Sequence, residues 1–209
     1  VILTARDHLI LELLGKYVLL TIEQVHELLF ASTNKDSEQA RRRLKLLKDA
    51  TLIKHFDFKT MRGEYLFKLS ERGLRQVSAT ERYREKNGKF KHTESVNDIA
   101  VALVKAGIPQ TDIDPEPPLL LAGQERADLR IPGFLIEVDR GTASTEKLRL
   151  KLAAYAESFE QAWRRGWASY PRIVWIAPSE ARVKLIQGLV DATATPELFW
   201  VGTDVRRVL

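Results

Sequence analysis

Apolar residues recur at helical spacing in three short runs at the start of the chain. Thr4 is placed to cap a helix reaching about Leu14, with Leu9 and Leu13, and Ile10 beside them, turned inward and Gly15 ending it. Thr21 precedes a second run in which Val25, Leu28 and Leu29 face inward. Asp36 or Ser37 caps a third, on which Ala40, Leu44 and Leu47 fall at i, i+4 and i+7. Leu52 to Phe58 and Glu64 to Leu69 then read as strands flanking Lys59-Thr60-Met61-Arg62-Gly63. Three short helices followed by a hairpin predict a winged helix-turn-helix over residues 1–80.

Ser70-Glu71-Arg72-Gly73 opens one more helix after the hairpin, and the charged stretch at 81–91 reads as a linker. A second domain is expected over 92–209. It begins with an amphipathic helix, His92 to Ala106, whose Val96, Ile99, Ala100, Leu103 and Val104 share a face and which Gly107 and Pro109 terminate. Two short segments around Pro132-Gly133 form a hairpin. Leu148, Leu152, Tyr155, Phe159 and Trp163 mark the buried stripe of the next helix. Arg172 to Ala177 reads as a buried strand between Pro171 and Pro178, Glu180 to Val190 as a helix, and Leu198 to Val201 as a last strand. The whole is α+β, with an α/β second domain.

Charge sharpens the first half of this picture. The formal net charge is +5, but residues 35–91 carry 17 Lys and Arg against 8 Asp and Glu, whereas residues 111–209 carry 13 against 14. A clustered basic region is the electrostatic footprint of a nucleic-acid binder. In a winged helix the third helix enters the major groove and the hairpin tip reaches the flanking backbone. Gln39, Arg41, Arg42, Lys45, Lys59 and Arg62 are therefore the candidate contacts to double-stranded DNA, while Arg43 and Lys48 lie on the core flank, where long side chains lay their stems along apolar surface. A winged helix used only for protein contacts is the competing reading, and it gives no reason for so positive a third helix. A helix-turn-helix reader often dimerises to match a two-fold site, so a homodimer is a candidate assembly.

Other classes recede. The chain has no cysteine, which removes disulfides and thiolate metal sites and fits a cytoplasmic setting. No apolar run approaches the roughly 18–20 residues that span a bilayer, so no membrane partner is expected. The four histidines show no paired ligand spacing. No glycine-rich phosphate loop and no G-x-S-x-G elbow is present.

The second half carries a different chemistry. Along the strand after Pro132-Gly133, Leu135, Glu137 and Asp139 share one face. If the turn has two residues, Ile131 faces Phe134 and Asp128 falls opposite Glu137. Like charges facing across strands destabilise a sheet, so the pair needs a compensating partner. A divalent cation, Mg²⁺ or Mn²⁺, held by Asp128 and Glu137 is one; an ion-pair cluster with Arg126, Arg130 and Arg140 is the other. Asp128, the Glu137-x-Asp139 pair and a lysine from the next helix resemble the PD-(D/E)xK nuclease superfamily, in which an Asp and a Glu bind Mg²⁺ and a Lys assists the attacking water. This chain departs from that pattern in having Asp139 where the lysine is usual. Some members take the lysine from the following helix, which nominates Lys151 first and Lys147 second. The resemblance also implies an acidic contribution from the preceding helix, for which Glu94 and Asp98 are candidates.

Over nearly its whole length the order of a winged helix, a helix with Val96-Asn97-Asp98, and Glu137-Val138-Asp139-Arg140-Gly141-Thr142 leading to Lys151-x-x-x-Tyr155 resembles the replication-relaxation family. Such proteins are encoded largely on bacterial and phage mobile elements and are associated with plasmid replication or DNA relaxation and transfer. The resemblance implies a DNA-binding accessory protein working beside replication or relaxation proteins. Two functions stay open from sequence: a non-catalytic DNA-binding factor, and a Mg²⁺-dependent endonuclease using Asp128, Glu137 and Lys151.

Overall fold

A computed structural model describes residues 2–30, 37–60, 63–77, 90–117 and 126–208. The chain divides into two compact units, Val1–Lys105 and Ala106–Leu209.

The first unit opens with α1 (Ala5–Tyr17), α2 (Ile22–Leu29) and α3 (Glu38–Asp49). Thr4 and Thr21 each close a capping box, with Asp7 and Gln24 returning the bond to the cap backbone. Helix α1 runs through the buried Gly15 to Tyr17 instead of stopping there. Leu9 is 53% exposed, while Ile10, Leu11, Leu13 and Leu14 are buried. Five leucines and isoleucines among residues 9–14 leave more than one choice of inward stripe, and the packing of α1 selects the one without Leu9. On α3 the expected stripe holds: Ala40, Leu44 and Leu47 are fully buried. Strands β1 (Ile53–Lys59) and β2 (Tyr65–Leu69) pair antiparallel, and Leu20 adds a bridge to Phe67 on the other side of β2. The four-residue α4 (Glu71–Leu74) follows, capped by Ser70. It sits so close to the start of β1 that a β-carbon on Gly73 would lie 2.0 Å from the Leu52 carbonyl oxygen.

Helix α5 (Phe90–Lys105) belongs to this first unit, which corrects the expected boundary at 92. The chain breaks its helical path at Val18, with φ of 67°, leaving nearby carbonyls without helical donors. The buried Asn97 amide donates to the Tyr17 carbonyl at 3.3 Å and to the Leu19 carbonyl at 2.5 Å. Gln24 donates to Asp98 at 2.8 Å and Lys105 pairs with Glu27 at 2.9 Å. The amphipathic pattern of α5 states that one face is buried but not against which partner. Of the proposed linker, only Phe90 and Lys91 are described, and both are helical.

Among the described residues the second unit forms a five-stranded sheet in the order β3 (Asp114–Pro115), β4 (Leu129–Ile131), β5 (Phe134–Val138), β6 (Arg172–Ile176), β7 (Phe199–Gly202). The first two pairings are antiparallel and the last two parallel. Pro132 followed by Gly133 at φ of 82° is the combination of a type II turn, and Ile131 pairs with Phe134 as expected. Helices α6 (Thr145–Arg164) and α7 (Glu180–Val190) make the crossovers. Right-handed connections between adjacent parallel strands put both on one face. There Leu135, Ile173 and Trp175 pack with Leu148, Leu152, Tyr155, Ile186 and Val190. Ile136, Val138, Val174 and Ile176, pointing the other way, are buried as well. The stripe of α6 holds through Tyr155 and then departs from the expected line. Ala162 is buried and Trp163 is 72% exposed.

Candidate functional site

On α3, burying Ala40, Leu44 and Leu47 turns Arg41, Arg42 and Lys45 to the exposed side. Arg41 makes only a loose contact with Glu38, at 3.9 Å. Lys48, expected to lie along the core flank, is exposed on the same side. Gln39 departs from the expectation in the opposite sense. It is half-buried, and its Oε1 has no hydrogen-bond partner among the described residues, so it is set back from this surface. Arg62 and the side chain of Lys59 lie outside the described residues.

Arg43 is held away from the exposed side. Its Nε donates to Asp7 Oδ1 at 2.7 Å and its Nη2 to Asp7 Oδ2 and to Thr4 Oγ1. Asp7, fully buried, also accepts the Thr4 amide at 2.7 Å. Burial pushes the Asp7 carboxyl up, but the Arg43 and Thr4 hydrogen bonds outweigh it and hold it below the usual range. One aspartate thus caps α1 and ties α3 to it. Lys48 lies near enough to β1 to act on His55, whose proton affinity is lowered by burial and then by the lysine charge.

In the second unit Glu137, on the helix-covered face of β5, is 2% exposed. Lys151 and Tyr155 project one turn apart from α6 and take one carboxylate oxygen each. Lys151 Nζ lies 2.5 Å from Oε2, and the Tyr155 hydroxyl donates to Oε1. Burial and then the Asp128 charge raise the Glu137 carboxyl from 4.5 to about 8, against the opposing pull of Lys151 and Tyr155. The Tyr155 phenol is itself raised by burial and by Glu137. Asp128, half-buried, accepts the Val138 amide at 2.7 Å. Two of the three arginines proposed as neutralising partners go elsewhere: Arg126 donates to the Glu116 carbonyl and Arg130 to Asp114.

Asp139 does not join this group. Arg182 of α7 grips it with Nε at 2.5 Å and Nη2 at 3.3 Å, and the same Nη2 donates to the Ala143 carbonyl at 2.7 Å. That fork fastens the Arg140–Thr142 turn to α7. No local spacing in the sequence signals Arg182, which lies 43 residues away. Lys147, the second lysine nominee, is exposed. Glu94 and Asp98 lie on α5, in the first unit.

A divalent cation at Asp128 and Glu137 does not fit this donor set. Both Glu137 oxygens and one Asp128 oxygen are already hydrogen-bonded, and a cation would have to share the space with an ammonium group. Among the described residues no group of three or more His, Cys, Asp or Glu side chains is placed to hold a metal. Among them also no helix is long and apolar enough to cross a membrane.

No curated protein and no solved structure matches the chain. A family model described as Replication-relaxation matches residues 11–171, from within α1 to the residue before β6. That span takes in most of the chain, including α3, Glu137, Lys151 and Tyr155. The chain belongs to the replication-relaxation family.

Proposed function

We propose that this protein is a DNA-binding accessory factor of mobile-element replication, relaxation or transfer, that it grips duplex DNA with the exposed side of α3, and that the Glu137 network is structural. The observation that carries the reading is the sorting of α3, with Ala40, Leu44 and Leu47 wholly buried and Arg41, Arg42, Lys45 and Lys48 all exposed. A helix with that division, followed by an antiparallel hairpin, has the form of a winged-helix reading head. Arginine forks suit guanine edges and phosphates, and lysines suit phosphates.

The test is duplex binding by residues 1–105 across a salt series. Phosphate neutralisation releases counterions, so affinity should fall linearly on a logarithmic salt scale. Arg42→Ala should weaken binding by about 1–3 kcal/mol if Arg42 reads a base, or lower the salt slope by about 1 if it contacts a phosphate. Arg43→Ala should do little to affinity and more to stability, because Arg43 is bonded to Asp7. Salt-independent binding, or equal losses from the two arginines, would sink the reading.

The competing nuclease reading draws on the pairing of carboxylates with Lys151 beneath a mixed sheet. It requires Glu137 to leave Lys151 and Tyr155 before any cation can be held. Plasmid nicking in Mg²⁺ or Mn²⁺ that Glu137→Gln abolishes would favour it over the structural role.

A further inference from the structure

Helix α1 ends in a turn that valine rarely adopts. Val18 has φ of 67° and ψ of −51°, and across it the Leu19 amide donates to the Tyr17 carbonyl at 2.7 Å. A bond from residue i to i+2 around such dihedrals is the strained form of the γ-turn. A β-branched side chain makes it more so, because at positive φ the β-carbon crowds the carbonyl oxygen that follows. Such a conformation persists only where its surroundings enforce it, and it clusters where a protein uses the strain.

Two sets of contacts enforce this one. Leu20 exchanges backbone hydrogen bonds with Phe67 of β2, at 3.1 and 2.8 Å. From α5, the buried Asn97 amide spans the turn and bonds the carbonyls on both sides of Val18, at 3.3 Å to Tyr17 and 2.5 Å to Leu19. The Val18 side chain packs, together with Phe90 at the start of α5, against Leu19, Phe56 and Leu66. Glycine would take up these dihedrals without strain but would give up that packing. The turn fixes where α2 begins, since Thr21 is its N-cap, and α2 in turn packs against α3. Gln24 and Glu27 of α2 hold Asp98 and Lys105 of α5, so α5 grips both the turn and the helix that leaves it. Lys105 is also the last residue of the first unit, and the chain passes from it directly into the second.

We propose that Asn97 is a positioning residue for duplex binding: docked α5 holds the Val18 turn in its strained form and so fixes α2 against α3, and release of α5 lets the turn relax and lowers the fraction of molecules able to bind. This rests on the reading that α3 grips DNA and adds a control element to it. The apparent affinity of a protein scales with the population of its binding-competent state. Docking of α5 therefore raises or lowers DNA binding without touching a charge on α3. The strain at Val18 supplies the second arrangement that a switch needs, because without Asn97 the backbone gains by returning to negative φ.

The experiment uses the full chain and a labelled duplex of mixed sequence, titrated across a salt series well below the melting temperature. Strain of the size stored at such positions corresponds to a factor of about 5 or more in population, so Asn97→Ala should weaken the complex by at least that factor. The salt slope should stay at the parent value because no phosphate contact is lost, whereas Lys45→Ala should lower it by about 1. In a Val18→Gly background the turn needs no enforcement, and there the same Asn97→Ala change should weaken binding by less than about twofold. Amide exchange at Leu20 should quicken in Asn97→Ala, and the double variant should exchange no faster than Val18→Gly. Asp98→Ala, at an exposed position, loosens α5 more mildly and should act in the same direction. It carries the test if Asn97→Ala does not fold, and parent values of both affinity and Leu20 exchange in it then overturn the proposal. A lowered melting temperature in Asn97→Ala with duplex affinity within twofold of the parent also overturns it, as does an equal loss in both backgrounds or a lowered salt slope. Loss of binding in Arg42→Ala and Lys45→Ala with none in Asn97→Ala overturns this proposal alone and leaves the α3 reading standing. No loss in Arg42→Ala or Lys45→Ala overturns both.

Discussion

The Glu137 network makes a claim about stability whose sign is open to measurement. Consider Glu137→Gln, which keeps the volume and a hydrogen-bonding group but removes the ionisable proton. Glu137 is raised from 4.5 to about 8 by burial and by Asp128. The folded protein therefore holds a proton that the unfolded chain has released throughout that interval. Stability is fully present below pH 4.5 and is lost as pH rises through about 8. At 1.36 kcal/mol for each pH unit, the interval amounts to roughly 4–5 kcal/mol at most. His55, with its proton affinity lowered, acts in the opposite direction near its own range, so the difference between parent and variant is the quantity to follow. All four tryptophans, Trp163, Trp167, Trp175 and Trp200, fall within Ala106–Leu209, so tryptophan fluorescence reports on the unit that contains Glu137. Urea unfolding between pH 5 and pH 8.5 should show the parent weakening with pH relative to Glu137→Gln, and the variant equal or superior at the upper end. The reasoning is refuted if the parent gains stability relative to the variant over that range. That outcome would mean that Lys151 outweighs burial and keeps the carboxylate ionised.

Arg182→Met should leave Asp139 buried without its cation and cost about 3–5 kcal/mol in chemical unfolding, while the double variant with Asp139→Asn recovers a large part of it. A fragment of residues 1–80 should lack the cooperative thermal transition that residues 1–105 show by circular dichroism, because without α5 the Tyr17 and Leu19 carbonyls lose the Asn97 amide. Adding Mg²⁺ or Mn²⁺ at millimolar concentration should leave the melting temperature of the full chain unchanged. A rise that Glu137→Gln removes would show that the cation displaces Lys151 and is bound by the folded state.

What was legible in the sequence was whatever repeats locally. The 3.6-residue period of Ala40, Leu44 and Leu47 was enough to sort α3 into a buried and an exposed side. Alternation along 134–138, together with Pro132-Gly133, was enough to set Ile131 against Phe134 and to turn Glu137 towards the face that α6 covers. Lys151 and Tyr155, one helical turn apart, were readable as a pair for the same reason.

Tertiary structure decided the partners. Periodicity says that a face is buried and is silent about what buries it, so α5 reads as the start of a second domain until Asn97 is found on the Tyr17 and Leu19 carbonyls. Charge spacing along one strand cannot reveal a cation from a helix 43 residues on, which is why Asp139 was grouped with Glu137 and not with Arg182. The same limit applies to Trp163. A hydrophobic residue in register with a buried stripe is expected inside, but the buried line of α6 shifts after Tyr155 to Ser158 and Ala162, which leaves the indole in solvent. Whether Glu137 is charged depends on burial, on Asp128 across the hairpin and on two groups from α6, a balance that exists only once all four are brought within a few ångströms.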